Sequence, residues 1–220
     1  MLTLYIGNKN YSSWSLRAWL LLRQFDIAFE ERALMLFTEQ FRAEVGKVSA
    51  AGRVPVLLED GFAVWDSLAI AEFVAERFPD KPVWPRDPKD RARARSICAE
   101  MHAGFGALRS HLPMNVEARL HGVLWNNDVQ HDIERIVSMW SELRAEHRAR
   151  GPFLFGEFGA ADAFYAPVAS RFVTYAVKLP PACSAYVDAV IDLPSMKQWT
   201  ADALHENCFL PADEPYRRAR

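Results

Sequence analysis

Three serines stand just after the first strand-like run of the chain, at a position suited to binding an anion. The tetrapeptide Ser12-Ser13-Trp14-Ser15 separates the strand-like run Leu2–Ile6 from a helical run. The first backbone N–H groups of a helix have no partner within the helix, and the helix dipole favours negative charge there. A thiolate at this turn would be stabilised. Together with Arg53-Val54-Pro55-Val56 later in the chain, this turn predicts a site that binds and activates a thiol.

Strand and helix patterns alternate through the first third of the chain. Apolar residues alternate with polar ones in the strands and follow i, i+3, i+4 spacing in the helices. Asp60-Gly61 is the strongest short hairpin signal in the sequence, so the strands that flank it should be antiparallel. The predicted order is βαβαββα, with strands at Leu2–Ile6, Ala28–Ala33, Pro55–Glu59 and Phe62–Trp65 and helices at Trp14–Gln24, Thr38–Lys47 and Asp66–Arg77.

A proline-rich stretch follows this α/β region. Four prolines fall within Phe78–Pro88, and each removes a backbone donor that a helix or sheet would use. Beyond them the pattern is helical throughout. We therefore predict a small α/β domain over residues 1–79, a linker over 80–88 and an all-α domain over 89–220. The predicted helices of the second domain are Lys89–Leu112, His121–Arg150, Asp162–Val177, Ala182–Ile191 and Ser195–Glu206.

The composition argues against several classes of protein. A net charge of −2, with acids and bases mixed, disfavours a nucleic-acid or acidic-membrane partner. Cys98, Cys183 and Cys208 form no C-x-x-C pair, which argues against a zinc site or a disulfide framework. No run approaches the roughly 18 apolar residues of a membrane span, and the N-terminus lacks a signal-peptide pattern. We expect a cytoplasmic protein that binds neither nucleic acid nor membrane.

Four motifs, taken in order, resemble those of the cytosolic glutathione transferases. They are Ser12–Arg17, Arg53–Leu57, Asp60-Gly61 followed by Asp66–Ile70, and Gly156-x-x-Gly159-x-x-Asp162. The last matches the helix-capping box of the family, with Gly159 where a Ser or Thr is usual. The resemblance spans essentially the whole chain. It implies a thioredoxin-like N-terminal domain, an all-helical C-terminal domain, glutathione as co-substrate and a homodimer, and the serine turn is similar to that of zeta-like, serine-type bacterial members.

In the family the serine turn activates the glutathione thiol, and this role carries to Ser12 first and to Ser13 second. Only the thiolate is a good nucleophile, and a hydroxyl donor together with a helix N-terminus lowers the pKa of a thiol. Tyr11 is the third candidate donor, since tyrosine-type members use a phenol. A serine here can instead cap the helix, or different serines can serve the two roles. Because no cysteine occupies the turn, thiol exchange is not expected.

The same resemblance implies further contacts with glutathione. In the family a cis proline follows Val54, and Val54 would then pair with the cysteinyl backbone; a trans Pro55 at the start of an edge strand is the alternative. Ser67 and the helix N–H groups would bind the γ-glutamyl carboxylate, while Asp66 faces the ammonium. Lys47 either lies near the glycyl carboxylate or is a solvated surface lysine.

The pocket for the acceptor substrate is less determined. By resemblance, Tyr11, Met101, Phe105 and Arg109 are candidate lining residues, although an apolar stripe at this spacing is also typical of a core. For His102 and the other histidines a surface or core role is expected, and their spacing offers no metal site.

Three functions remain open from the sequence. The first is a glutathione transferase in which Ser12 holds the thiolate and the thiolate attacks a small hydrophobic electrophile. The second is a glutathione-dependent cis–trans isomerase of the maleylacetoacetate or maleylpyruvate kind, with Arg109 or Arg17 facing a dicarboxylate. The third is a non-catalytic, transferase-like module for binding or regulation, because a fold does not fix a function.

Overall fold

The protein has two parts of unequal size, which we call its first and second halves, and a four-stranded mixed sheet lies in the first and smaller one, residues 1–77. The structure is a computed structural model, and it describes residues 1–219. β1 (Leu2–Ile6) pairs in parallel with β2 (Glu30–Ala33) and antiparallel with β3 (Val56–Glu59), which pairs in turn with β4 (Phe62–Trp65). Three helices alternate with these strands: α1 (Ser13–Gln24), α2 (Glu39–Val48) and α3 (Ser67–Arg77). The predicted βαβαββα order and the hairpin at Asp60-Gly61 are confirmed.

The second half is helical. In the described part of the chain, no helix is long and apolar enough to cross a membrane. The helices are α4 (Pro88–Ala103), α5 (Gly106–His111), α6 (Asn127–His147), α7 (Ala160–Thr174), α8 (Pro181–Ile191) and α9 (Pro194–His205), with short 3₁₀ turns at Arg148–Arg150 and Pro211–Asp213.

Two predicted helices are interrupted or shortened in the structure. The single helix predicted over Lys89–Leu112 is divided, because Phe105 takes a left-handed backbone conformation with φ of 54° between α4 and α5. The helix predicted from His121 begins only at Asn127, because the side chain of Asn126 accepts the Val129 N–H and caps α6. The apolar spacing continues across both places, and it therefore gave no sign of either break.

α1 joins the two halves of the protein. Its apolar residues are buried, and it packs against α3 of the first half and against α7 and α9 of the second. Trp19 on α1 meets Trp199 on α9 edge to face, with ring centroids 5.1 Å apart. Because the serine turn begins α1, both halves of the molecule determine its position.

Asp162 fixes the start of α7. It is fully buried, and its carboxylate accepts the Gly159 N–H at 2.9 Å and the Leu154 N–H at 3.0 Å. A complete capping box has a second bond, in which the side chain of the N-cap residue accepts a backbone N–H of the helix. Gly159 has no side chain, so only the bond from its N–H to Asp162 is retained. A Cβ atom at Gly159 would lie 3.1 Å from the Val83 carbonyl oxygen, which explains the glycine where a Ser or Thr is usual.

The carboxyl group of Asp162 is expected to make stability depend on pH. Burial raises its pKa to about 6, above the ordinary 3.8, although the two N–H groups oppose the shift. The folded state therefore binds this proton more tightly than the unfolded chain, and the contribution to stability is present below about pH 4 and lost as the pH rises to 6. Relative to Asp162→Asn, the wild type should lose roughly 1.4 kcal/mol of unfolding free energy per pH unit across this window. Urea denaturation of both proteins at several pH values measures the difference, and a constant difference would contradict the prediction.

Candidate active site

A cleft of about 1130 Å³ lies between the two halves of the protein. It brings together three segments that are far apart in the sequence: the serine turn, the Val54-Pro55 step and the start of α3. Residues of the helical half form the facing wall. That wall contains His102, Arg109, Pro113, Met114, Arg171 and Asp213.

The serine turn combines capping with access to the cleft. The Ser12 hydroxyl oxygen accepts the Ser15 N–H at 3.4 Å and caps α1. The Ser12 hydroxyl also donates to the Ser15 hydroxyl at 2.7 Å, and the Ser15 oxygen accepts the Gly7 N–H at 3.0 Å. Ser12 and Ser13 both line the cleft, and the Ser13 hydroxyl has no hydrogen bond to any of residues 1–219. Two hydroxyl groups thus lie where a bound sulfur would meet the helix N-terminus.

Tyr11 lines the cleft, but its hydroxyl is held by the C-terminal segment. It donates to the Glu214 carboxylate at 2.7 Å and accepts the Leu210 N–H at 3.3 Å. Burial and the Glu214 carboxylate raise the pKa of Tyr11 to about 12. Because its hydroxyl already donates a hydrogen bond to a carboxylate, Tyr11 does not fit the role of thiol donor that the sequence left open.

The Val54-Pro55 peptide bond is cis, as the resemblance implied, and both residues line the cleft. β3 begins at Val56, so Val54 lies just outside the ladder. Over the described residues, neither the N–H nor the C=O of Val54 takes part in a hydrogen bond. This backbone is available to pair with an extended peptide.

Asp66 and Ser67 stand at the start of α3, and both line the cleft. Asp66 has φ of 63° and ψ of 148°, a conformation rare outside glycine, and its carboxylate accepts the Leu68 N–H at 2.8 Å. The second oxygen of this carboxylate lies 2.7 Å from Nε2 of His102. The Ser67 hydroxyl is buried without a hydrogen-bond partner in the described chain. An unpaired buried hydroxyl costs free energy that a bound carboxylate would recover.

His102 is a site residue that the sequence analysis missed. It was expected on the surface or in the core, yet it crosses from α4 to the carboxylate of Asp66 and packs edge to face on Trp14 at 5.2 Å. The only sequence signal was the seven-residue spacing from Arg109, which places both on one side of a helical run. The break between α4 and α5 obscured that signal.

Three other predicted site residues do not line the cleft. Met101 is fully buried in the core, because the apolar stripe of α4 faces α7. Phe105 is also in the core, because the turn between α4 and α5 directs it inward. Lys47 lies on the exposed side of α2, where it binds Glu44 at 2.6 Å. Of the residues expected around the acceptor, Tyr11 and Arg109 line the cleft.

The wall beside the serine turn is aromatic and cationic. Trp14 lines the cleft, and the guanidinium carbons of Arg17 and Arg109 lie 4.1 and 5.4 Å from its ring centroid. Arg171 is buried, donates to the Leu112 carbonyl oxygen at 2.7 Å and also lines the cleft. Burial lowers the pKa of Arg171 to about 10, so it is charged at neutral pH. Within residues 1–219, none of these three arginines forms an ion pair with a carboxylate.

One group of possible metal ligands lies outside the cleft. Ligand atoms of Asp90, Glu146 and His147 come within 4.8 Å of one another. However, Asp90 binds Arg150 at 2.8 Å and Glu146 binds Arg93 at 2.8 Å, so each carboxylate already has a cationic partner. We assign no function to this group.

Two family models together match most of the chain. Residues 11–77 match the N-terminal domain of glutathione S-transferases, and residues 90–201 match the C-terminal domain. The chain belongs to the glutathione S-transferase family. The thioredoxin-like fold of the first half and the helical fold of the second, both implied by the sequence motifs, are confirmed.

The relatives of this chain include proteins named as glutathione S-transferases and proteins named as maleylacetoacetate isomerases. Glutathione S-transferase 1 from Dianthus caryophyllus is 30% identical over 167 residues, which cover 74% of each protein. A probable maleylacetoacetate isomerase from Caenorhabditis elegans is 33% identical over 107 residues, about half (49%) of each chain. A solved glutathione transferase homolog from Burkholderia, with bound glutathione, is 26% identical with a TM-score of 0.71, and the match covers 93% of this chain and 98% of that one. These relatives support a glutathione-dependent transferase or isomerase.

Proposed function

We propose that this protein binds glutathione in the cleft and activates its thiol at the serine turn, with Ser12 as the principal donor and Ser13 as the second. The convergence of three groups carries the proposal: the serine hydroxyls, the unpaired backbone of Val54 and the unpartnered hydroxyl of Ser67 face one cleft. We assign the sulfur of glutathione to the serine hydroxyls, its cysteinyl backbone to Val54 and its γ-glutamyl end to Ser67.

Activation requires that the Ser12 hydroxyl donate a hydrogen bond to the sulfur. In the ligand-free arrangement the Ser12 hydroxyl donates its hydrogen bond to Ser15 instead. When a thiolate binds, the Ser15 hydroxyl turns to donate to Ser12, and Ser12 then donates to the sulfur without any backbone movement. The thiol proton leaves to solvent through the open cleft. The helix N-terminus and the hydroxyl favour the thiolate, which attacks the acceptor held against the facing wall.

The γ-glutamyl group would bind at the start of α3. We assign its carboxylate to the Ser67 hydroxyl and to the first N–H groups of the helix, and its ammonium to Asp66, which His102 holds in place.

Replacing Ser67 with alanine is expected to raise the KM for glutathione about tenfold and to leave kcat nearly unchanged, because a hydrogen bond to a charged group contributes about 1.5–3 kcal/mol of binding free energy. Steady-state kinetics at saturating acceptor measure the effect. Ser138→Ala, on the exposed side of α6, is the matched control and should behave as wild type. An unchanged KM in Ser67→Ala would remove Ser67 from the site.

The acceptor decides between two reactions. The first candidate is conjugation of a hydrophobic electrophile. The second is cis–trans isomerisation of a maleyl dicarboxylate, and a specific observation favours it: Arg109 and Arg171 both line the cleft and neither forms an ion pair among the described residues, although the Asp213 carboxylate of the same wall attracts Arg171. Reversible addition of the thiolate would allow rotation about the former double bond, after which the thiolate leaves again and glutathione is not consumed.

A panel of acceptors tests these reactions. Aromatic halides, epoxides, peroxides and maleyl dicarboxylates are supplied with glutathione, and both product and residual glutathione are measured. Conjugates with loss of glutathione support the transferase, and isomerised dicarboxylate with constant glutathione supports the isomerase. Glutathione binding without turnover of any acceptor would instead support a non-catalytic module.

We also propose a cytoplasmic homodimer that uses the edge of the sheet. β4 is an edge strand, and Phe62 on it is 65% exposed; Trp65 on the same strand is 49% exposed and also lines the cleft. An exposed apolar edge strand is a typical interaction surface. Light scattering should give a mass of about twice 25.0 kDa. Phe62→Glu should shift the protein to monomer, whereas Leu124→Glu, at a site 91% exposed in the helical half, should not. A monomeric wild type would contradict the proposal.

A further inference from the structure

Arg17 is a buried cation without a counter-ion. It lies on α1 four residues after Ser13, and its side chain is only 1% exposed. Its guanidinium stacks on Trp14 at 4.1 Å and on Phe164 at 5.0 Å from the ring centroids. Its Nε and one terminal nitrogen have no hydrogen-bond partner, and no carboxylate of the described chain lies within ion-pair distance. Buried charges in proteins are normally paired, so this arrangement calls for an anion.

The neighbouring groups do not supply that anion. Burial raises the pKa of Cys98 well above its ordinary value, so this thiol stays neutral beside Arg17. The Asp66 carboxylate is engaged by His102 and by the Leu68 N–H. Burial, followed by repulsion from Arg171 and Arg109, lowers the pKa of Arg17 to about 9, which leaves the guanidinium charged at neutral pH. The folded protein thus carries uncompensated positive charge beside the serine turn.

We propose that the thiolate of bound glutathione is the counter-ion of Arg17, and that Arg17 lowers the thiol pKa through Trp14. This inference rests on the proposed function of the cleft. Trp14 lines the cleft and Arg17 does not, so the indole separates the guanidinium from the sulfur. Because the indole and the surrounding side chains exclude water, the interaction is screened much less than it would be in solvent. Arg17 does not touch the sulfur and is therefore a positioning residue that sets the local electrostatic field.

The test compares the thiol pKa of bound glutathione in three variants with that of the wild type, using the ultraviolet absorbance of the thiolate. Arg17→Gln should raise the pKa of the bound thiol by about one pH unit. This is the size expected when the guanidinium charge acts on the sulfur across the Trp14 indole at an effective dielectric constant near 20. Arg17→Lys should retain most of the effect. Arg23→Gln is the matched control, because Arg23 lies on the same helix and stacks on Trp19 and Phe29 but is exposed. It should leave the pKa unchanged.

A second readout separates electrostatics from packing. The affinity of Arg17→Gln for glutathione should fall below that of the wild type by a factor that approaches about ten as the pH rises above the pKa of the bound thiol in both proteins, whereas its affinity for S-methylglutathione, which has no thiolate, should equal that of the wild type. Should Arg17→Gln fail to fold, Arg17→Met removes the charge and keeps a long apolar stem. A folded, neutral variant with the wild-type thiol pKa would overturn the inference. If the wild type itself leaves the thiol pKa at its free value, the proposed function fails first, whatever Arg17 does.

Discussion

Replacing Ser12 with alanine is expected to lower kcat/KM for glutathione turnover by on the order of 100-fold, the usual effect of removing one preorganised donor from a developing or bound anion. The Ser12 hydroxyl lies at the N-cap of α1, where the helix also favours the anion. Without this donor the thiol should be mostly protonated at neutral pH. The loss should therefore shrink as the pH rises above the pKa of the free thiol, because glutathione then ionises without help.

Two neighbouring serines provide the controls for this prediction. Ser13→Ala should cost less than Ser12→Ala, because Ser13 is the second donor. Ser15→Ala should have an intermediate effect, because Ser15 orients the Ser12 hydroxyl at 2.7 Å. Loss of the cap in Ser12→Ala is expected to cost about 1 kcal/mol of unfolding free energy, which chemical denaturation measures separately. If Ser13→Ala lost the activity and Ser12→Ala kept it, the donor would be Ser13.

The second large effect is expected at Trp199 of α9, which contacts the loop just before the serine turn. Its indole is fully buried against Trp19, and its N–H donates to the Lys9 carbonyl oxygen at 2.8 Å. Trp199→Ala should lower the unfolding free energy by about 3–5 kcal/mol, because it leaves a cavity and an unpaired buried carbonyl group. Urea denaturation measures the loss. Leu204→Ala, at a half-exposed position of the same helix, should stay within about 0.5 kcal/mol of wild type.

Trp199→Ala should also weaken glutathione binding, because it loosens the loop that carries the serines. Lys9 is nearly buried there, with its ammonium 2.8 Å from Glu31 and 2.6 Å from Asp202. The same ammonium stacks on both indoles, at 4.9 Å from Trp19 and 5.4 Å from Trp199. We expect the glutathione KM of Trp199→Ala to rise severalfold under conditions in which the variant is folded. A folded variant with wild-type KM would show that α9 does not hold the serine turn in place.

The sequence predicted well whatever depends on a few adjacent residues. The hairpin at Asp60-Gly61, the helix start at Asp66 and the turn at Ser12 each follow from local rules for turns and caps. The four motifs occur in the same order as in the family, and this order predicted the fold that joins the local elements. The cis Pro55 came from the resemblance, because local rules allow either isomer.

Contacts between distant segments were not predictable in this way. The pairing of His102 with Asp66 joins residues 36 apart, and the bond from Tyr11 to Glu214 joins residues 203 apart. Only the packed arrangement of the two halves brings these groups together. The position of Met101 was predicted wrongly because it too depends on packing. Its spacing on α4 identified an apolar face, but whether that face meets the cleft or α7 depends on how the two helices cross.

We propose above all that the serine turn holds glutathione as a thiolate. The most direct measurement is a pH titration of thiolate absorbance in the complex of glutathione with the wild-type protein, compared with free glutathione. We predict that the pKa of the bound thiol lies at least one pH unit below that of the free thiol, which is about 8.5 for an ordinary cysteine. A bound thiol that titrates at the same pH as free glutathione would contradict the claim.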